Sequence, residues 1–255
     1  MAVVTMMAGC RESLERRFIY FPTRALAADP SSVGLAFRDV AFTAADGVKL
    51  HGWLIPGRTS IMLLYSHGNG GNMGDRLAIL RLLNSELGVG VFVYDYRGYG
   101  RSEGTPSEAG LVSDALGARA ALLREGAAPG QVIYFGRSLG SAVTIDLALA
   151  HPPRAVVLEA PFASVRAMAD RVLPGAGLLM RTRWDSLAKI PRLGAPLLVL
   201  HSDADEVIPY TQGRAVFDAA PEPKTFFTIH GARHYDMEAS WSQYWEAWRT
   251  FLKAV

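Results

Sequence analysis

A chain of 255 residues, half of them apolar and with 26 basic against 24 acidic side chains, has the composition of one large globular domain. Its formal charge of +2 supplies no basic field that would argue for nucleic acid as a partner. The single cysteine, Cys10, excludes an internal disulfide framework and a cysteine-based zinc site, and no run approaches the roughly 18 apolar residues that a spanning helix requires.

Residues 1–17 read as a separate N-terminal segment. Met7-Ala8-Gly9-Cys10 resembles the end of a bacterial lipoprotein signal, but few residues precede it and none supplies a basic n-region. Either the true start lies upstream, which would make the chain a membrane-anchored lipoprotein associated through Cys10, or the match is chance and the chain reads as cytoplasmic. Arg11 to Tyr20 mixes Arg16 and Arg17 with Leu14, Phe18 and Ile19, a pattern for a short amphipathic helix beside a membrane or for a helix covering the edge of the core.

From residue 18 to 255 the pattern is that of one domain. Ala36 to Phe42 and Lys49 to Ile55 read as strands joined by the hairpin signal Asp46-Gly47. Ile61 to Tyr65 is a continuous apolar strand ending in the glycine-rich turn His67-Gly68-Asn69-Gly70-Gly71, followed by leucines at helical spacing from Leu77 to Leu87. Next come strand Val89 to Tyr94, a helix over Ser107 to Glu125 with Ser107 as N-cap, strand Gln131 to Phe135 and helix Leu139 to Ala150. Strand Ala155 to Leu158 precedes a less regular stretch, Pro161 to Pro191. Strand Leu197 to Leu200, helix Thr211 to Ala220, strand Thr225 to Ile229 and an aromatic-striped helix, Trp241 to Leu252, complete the chain. The β-α alternation predicts an α/β fold: a mostly parallel sheet with helices on both faces and an antiparallel hairpin at one edge. In such sheets function collects beyond the carboxyl ends of the strands.

Gly136-Arg137-Ser138-Leu139-Gly140 is Gly-x-Ser-x-Gly between an apolar strand and a helix. That context is what the pattern needs to drive a serine Oγ out on a sharp, strained turn. A serine hydroxyl needs an adjacent base, and the base needs a third group to fix its tautomer. The acid is expected after the strand ending at Leu200, where Asp203, Asp205 and Glu206 stand close together; position just before Val207-Ile208 favours Asp205, with Asp203 as runner-up and a loop tie as its other role. The base is expected after Ile229, and His234 sits on that loop, whereas His230 ends the strand and reads as packing or loop support. The spacing of His230 and His234 is a weak metal signal, since Gly231 interrupts it. Two backbone N–H groups must face the oxyanion of an acyl transfer. Leu139 is one, and Asn69 is the other, with Gly70 as fallback and His67 as a loop organiser. Gly68-x-Gly70 also has the start of a dinucleotide fingerprint, but the third glycine, Gly74, falls one position late.

These stretches together resemble the α/β-hydrolase superfamily over nearly the whole chain. More narrowly, Phe18-Ile19-Tyr20-Phe21-Pro22, His67 to Asn72, Tyr94 to Gly100, Gly136 to Gly140 and Asp205 to Pro209 are similar to bacterial relatives of the abhydrolase-domain depalmitoylases and the serine-aminopeptidase-like hydrolases. The resemblance implies an α/β-hydrolase fold with an eight-stranded-type sheet and a short cap over about 161–191. It implies a catalytic triad of Ser138, Asp205 and His234, an oxyanion hole at Leu139 and Asn69, and no cofactor or metal. The expected activity is a carboxylesterase-like cleavage of small or medium acyl esters. Alternatives are an acyl-protein or other thioesterase, or a non-catalytic binding protein on the same fold. A small-molecule or lipid-like acyl substrate is the expected partner. The short cap, with Leu173, Leu178, Leu179, Met180 and Trp184, predicts an accessible, partly apolar acyl pocket unless these residues only pack on the sheet. Relatives often carry an N-terminal membrane helix before the Phe-Ile-Tyr-Phe-Pro stretch, where this chain has the Cys10 segment instead.

Overall fold

The computed structural model describes residues 15–237 and 241–255, so Cys10 and the lipoprotein reading lie outside the described residues. An eight-stranded sheet forms from β1 (Arg38–Thr43), β2 (Lys49–Ile55), β3 (Met62–Ser66), β4 (Gly90–Asp95), β5 (Val132–Arg137), β6 (Ala155–Glu159), β7 (Leu197–Ser202) and β8 (Lys224–Ile229). In these labels its spatial order is 1-2-4-3-5-6-7-8. The β1–β2 hairpin pairs antiparallel to β4, and all later neighbours are parallel. Strands β4 to β7 are buried at every position, which explains their unbroken apolar runs: helices cover both faces, so no residue is left for solvent.

The helices are α1 (Leu77–Leu87), α2 (Glu108–Arg124), α3 (Leu139–Ala150), α4 (Val165–Val172), α5 (Ser186–Lys189), α6 (Tyr210–Ala219) and α7 (Trp241–Ala254). Ser107 caps α2 as its position predicts, accepting from the Gly110 amide, and Gly88 ends α1 in the left-handed conformation at φ 70°. The aromatic stripe of α7 is its core face: Tyr244, Trp245 and Trp248 are fully buried, and Trp248 meets Phe135 of β5 edge-on at 5.2 Å. Phe135 in turn stacks on Tyr65 of β3 at 4.6 Å.

Parallel register brings Ser66 level with Gly136, Arg137 level with Glu159, and Ser202 level with Ile229. The loops that follow β3, β5, β6, β7 and β8 therefore leave from one rim. Strands β5, β6 and β7 extend beyond the apolar runs that mark them in the sequence, through Arg137, Glu159 and His201-Ser202. These polar residues are buried and still paired in the ladder.

Two segments overlie this rim. Residues 15–19 are helical, and Phe21–Pro22 then pairs parallel with Gly70–Gly71. The excursion between β6 and β7 holds α4, a short 3-10 turn at Ala176–Leu179, and α5. Its base is fixed by Trp184, fully buried, whose Nε1 donates to Tyr20 Oη at 3.1 Å. Glu108 accepts from the Arg183 and Trp184 amides, and Glu15 from those of Arg181 and Thr182. Of the two roles the sequence leaves open for the excursion's apolar residues, packing on the sheet is taken by Trp184 and not by the leucines. Trp184 packs inward, but Leu173, Leu178 and Leu179 face solvent, because the buried contacts are taken by Trp184 and by carboxylate-to-backbone bonds.

Helix α2 crosses close over β1 at Gly117, where a Cβ would lie 2.3 Å from the Thr43 carbonyl oxygen. Helix propensity alone favours alanine over glycine by about 1 kcal/mol, but overpacking of this kind costs about 1–3 kcal/mol. Gly117→Ala is expected to lower stability in urea denaturation, whereas Gly130→Ala, with nothing within 4 Å, should be near neutral.

Candidate active site

Ser138 sits between β5 and α3 at φ 54°, ψ −118°, a conformation that costs a non-glycine residue of order 1–3 kcal/mol and persists only when its surroundings enforce it. They do so on both sides. The Ser138 amide donates to the Glu159 carbonyl of β6 at 2.8 Å, and the Ser138 carbonyl accepts from the Ser141 amide and hydroxyl at 2.9 and 2.6 Å. The flanking glycines are required for space. A Cβ at position 140 would stand 1.9 Å from the Ser66 carbonyl oxygen, and one at 136 would stand 2.4 Å from that of Gly140. The result is a half-buried serine at the N-terminus of α3, whose first amides, beginning with Leu139, have no partner within the helix.

Asp205 and His234 come together. His234 Nδ1 lies 2.8 Å from Asp205 Oδ2, and both side chains are buried. A carboxylate accepts, so the proton sits on Nδ1 and leaves Nε2 as the basic nitrogen. Asp205 Oδ1 accepts from the Val207 and Ile208 amides at 2.9 and 2.8 Å. Burial alone would push this carboxyl's pKa up. The bonds from His201, His234 and the Ile208 amide outweigh it and hold the carboxyl well below the usual carboxylate range.

The His234 backbone is clamped as well. Its amide donates to Glu206 Oε2 at 3.0 Å, and its carbonyl accepts from Arg137 Nη2 at 2.8 Å. Arg137 is the residue immediately before Ser138, so the strand-to-helix elbow at Ser138 and the histidine loop are bonded directly to each other. Arg137 Nε also pairs with Glu159 Oε1 at 2.9 Å, and Tyr244 of α7 donates to Glu159 Oε2 at 2.6 Å.

The glycine-rich turn closes the other side. A Cβ on Gly68 would lie 3.7 Å from both Ser138 Cβ and the Arg137 carbonyl oxygen, so this turn abuts the elbow. His67 is fully buried; its Nδ1 bonds the Gly68 carbonyl at 2.7 Å and its own carbonyl accepts from Tyr96 Oη at 2.7 Å, the contacts of a loop organiser. Asn69 Oδ1 accepts from Tyr99 Oη at 3.3 Å, and Gly70 is tied into the short ladder with Phe21.

Asp203, His230 and the histidines outside these loops have other partners. Asp203 binds His230 Nδ1 at 2.7 Å and the Gly231 amide at 2.9 Å, tying the loops after β7 and β8 at the surface. His51 bonds Asp39 at 2.5 Å on the β1–β2 hairpin, and His151 caps the exposed end of α3. Among the described residues, no group of three or more His, Cys, Asp or Glu side chains is placed to hold a metal ion.

Four residues of this network were not singled out in the sequence: Arg137, Glu159, His201 and Tyr244. His201 Nε2 approaches the Ile208 carbonyl at 3.0 Å, an acceptor, so that nitrogen carries a proton; the same nitrogen lies 3.4 Å from Asp205 Oδ2. Asp205 is therefore faced by two imidazoles. The signal for Glu159 and His201 is a polar residue directly continuing an apolar strand.

Comparison with known proteins agrees with this architecture. A family model described as "Serine aminopeptidase, S33" matches residues 58–188. An uncharacterized protein of Mycobacterium tuberculosis is 37% identical over 232 residues, covering 89% of this chain and 82% of its own length. The alpha/beta hydrolase domain-containing protein WAV2 of Arabidopsis thaliana is 30% identical over 271 residues, covering 94% and 88%. Among solved structures, the esterase Pf2001 of Pyrococcus furiosus superposes with a TM-score of 0.75 at 18% identity, covering 92% of this chain and 97% of that one, a likeness of fold. The chain belongs to the α/β-hydrolase superfamily, in the family described as serine aminopeptidase S33.

Proposed function

We propose that this chain is a serine hydrolase that cleaves carboxylic esters of small or medium acyl chains, with Ser138 as nucleophile, His234 as general base and Asp205 as its orienting acid. The observation that carries the reading is the bonded sequence from Asp205 through His234 to Arg137, which joins an imidazole in the basic tautomer to the elbow bearing a strained serine.

In this mechanism Ser138 Oγ attacks the ester carbonyl carbon and His234 Nε2 takes its proton. The tetrahedral oxyanion is met by the amides of Leu139 and Asn69, where one donor is worth about 10²- to 10³-fold in rate. Collapse expels the alcohol, which takes the proton from His234 and leaves an acyl-serine. Water, deprotonated by His234, then attacks the acyl carbonyl; the acid leaves and Ser138 recovers its proton. Asp205 stays ionised throughout, which its depressed pKa favours. No step calls for a cofactor or a metal.

The family's aminopeptidase label fits this rim less well than an ester does. A substrate with a free ammonium group calls for carboxylates, and residues 161–191 carry five basic side chains against Asp170 and Asp185.

A p-nitrophenyl ester series, run beside acyl thioesters and aminoacyl p-nitroanilides, tests the reading. Ester turnover should exceed that of the anilides, and Ser138→Ala or His234→Ala should each lower kcat by about 10⁴-fold or more. A thioester preference would make the chain a thioesterase; absence of turnover on all three classes, from folded protein, would leave the non-catalytic binder. Asp205→Asn should lower kcat by about 10⁴-fold with little change in KM, since it misorients the base. The same variant should lose stability at neutral pH. A carboxyl held below its ordinary pKa stabilises the fold above that ordinary value, about 3.9, and loses the contribution as pH falls through the folded one. The gap in stability between wild type and Asp205→Asn should therefore shrink on acidification below pH 4.

A further inference from the structure

Charge and apolar exposure are both concentrated on one rim of the molecule. Residues 15–22 carry Arg16 and Arg17 against Glu15, and residues 161–191 carry four arginines and Lys189 against two aspartates. These two short segments therefore hold a net +4 in a chain whose total is +2, so the rest of the molecule is net acidic. The acids within them are tied to backbone amides: Glu15 is buried on those of Arg181 and Thr182, while Asp170, at the surface, accepts from the Gly177 amide and half-buried Asp185 from that of Ala188. Arg17, Arg171, Arg181 and Arg183 are exposed.

The same segments carry the exposed apolar groups. Of the eight large apolar side chains exposed among the described residues, seven lie here, among them Phe18 at 73%, Val172 at 87% and Leu178 at 76%. The eighth is Tyr235, next to His234. Such clustering is unlike the scattered exposure of an ordinary surface. The two segments are fastened together by the Glu15 bonds and by Tyr20 on Trp184, and both are fixed to the rim, where Phe21–Pro22 pairs with Gly70–Gly71 and Arg171 donates to the Val207 carbonyl at 2.8 Å.

We infer that this rim, formed by residues 15–22 and 161–191, docks on an anionic lipid bilayer, with the exposed Phe and Leu side chains in the interface and the arginines on the lipid headgroups. Water-exposed leucines among arginines that outnumber the carboxylates match a surface that is apolar below and negative above. Docked this way, the rim that carries Ser138 and His234 faces the membrane, and substrates with a lipid-borne acyl chain reach it from the bilayer. The surface stands apart from the catalytic reading: it binds or fails to bind whether or not Ser138 is a nucleophile.

Sedimentation of the full chain with vesicles tests it, using pure phosphatidylcholine and phosphatidylcholine containing phosphatidylglycerol. The Ser138→Ala chain serves for binding, and wild-type turnover of a water-soluble ester is read separately. Binding is expected to the anionic vesicles and to weaken in high salt. The doubly substituted Val172→Asp/Leu178→Asp chain should partition at least about tenfold less, while keeping its circular dichroism and its turnover of the soluble ester. Arg181→Glu/Arg183→Glu should remove the preference for anionic vesicles. The proposal is overturned if the wild-type chain stays in solution, or if the aspartate variant binds as well as its parent. A concentration-dependent dimer that the aspartate variant abolishes, without vesicle binding, would assign the same surface to a second copy and overturn it equally.

Discussion

The buried pair between Arg137 and Glu159 is the constraint on which the site depends. Glu159 ends β6 and Arg137 ends β5, and parallel register sets them side by side. The pair is fully withdrawn from water, where breaking it by removing one partner typically costs about 3–5 kcal/mol. Its geometry also reaches beyond the sheet. Arg137 holds the His234 carbonyl, Glu159 holds Tyr244 of the last helix, and the Glu159 backbone fixes the Ser138 amide. One ion pair thus links the elbow, the histidine loop and α7.

The two other loops are positioned by different physics. The turn after β3 is placed by space: Gly68 and Gly140 allow backbones to approach that no side chain would permit, and His67 and Tyr96 hold the turn from below. Asp205 is placed by donors, two amides on one oxygen and imidazoles facing the other. A carboxylate so surrounded is both immobile and ionised, which is what an imidazole in the basic tautomer needs beside it. Among the bonds described, the overlying segments touch these loops only through backbone groups, the Phe21–Gly70 ladder and the Val207 carbonyl that accepts from Arg171, and their outer sides are left apolar and basic.

Much of this was legible in the sequence. Strands buried on both faces announce themselves as apolar runs, and helix α3, spanning Leu139–Ala150, has the bounds its pattern predicts. Position alone favours Asp205 over Asp203, and the two carboxylates have different partners: Asp205 faces His234, while Asp203 is turned to His230 at the surface. The support residues were not legible. Arg137, Glu159 and His201 lie where strands β5, β6 and β7 outlast their apolar runs, so hydrophobic patterning ends one or two residues early at the place where chemistry begins. The facing of the excursion's leucines was not legible for a related reason. Its leucines have the composition of a pocket lining, but which way each faces is decided by Trp184, Tyr20 and Glu15, contacts separated by more than 160 residues in the chain.

Covalent labelling with a fluorophosphonate, followed by peptide mass spectrometry, tests the central claim most directly. The account predicts a single adduct on the peptide containing Ser138, absent from His234→Ala at the same exposure because the hydroxyl then lacks its base. An adduct on another serine, or undiminished labelling of Ser138 without His234, would contradict it.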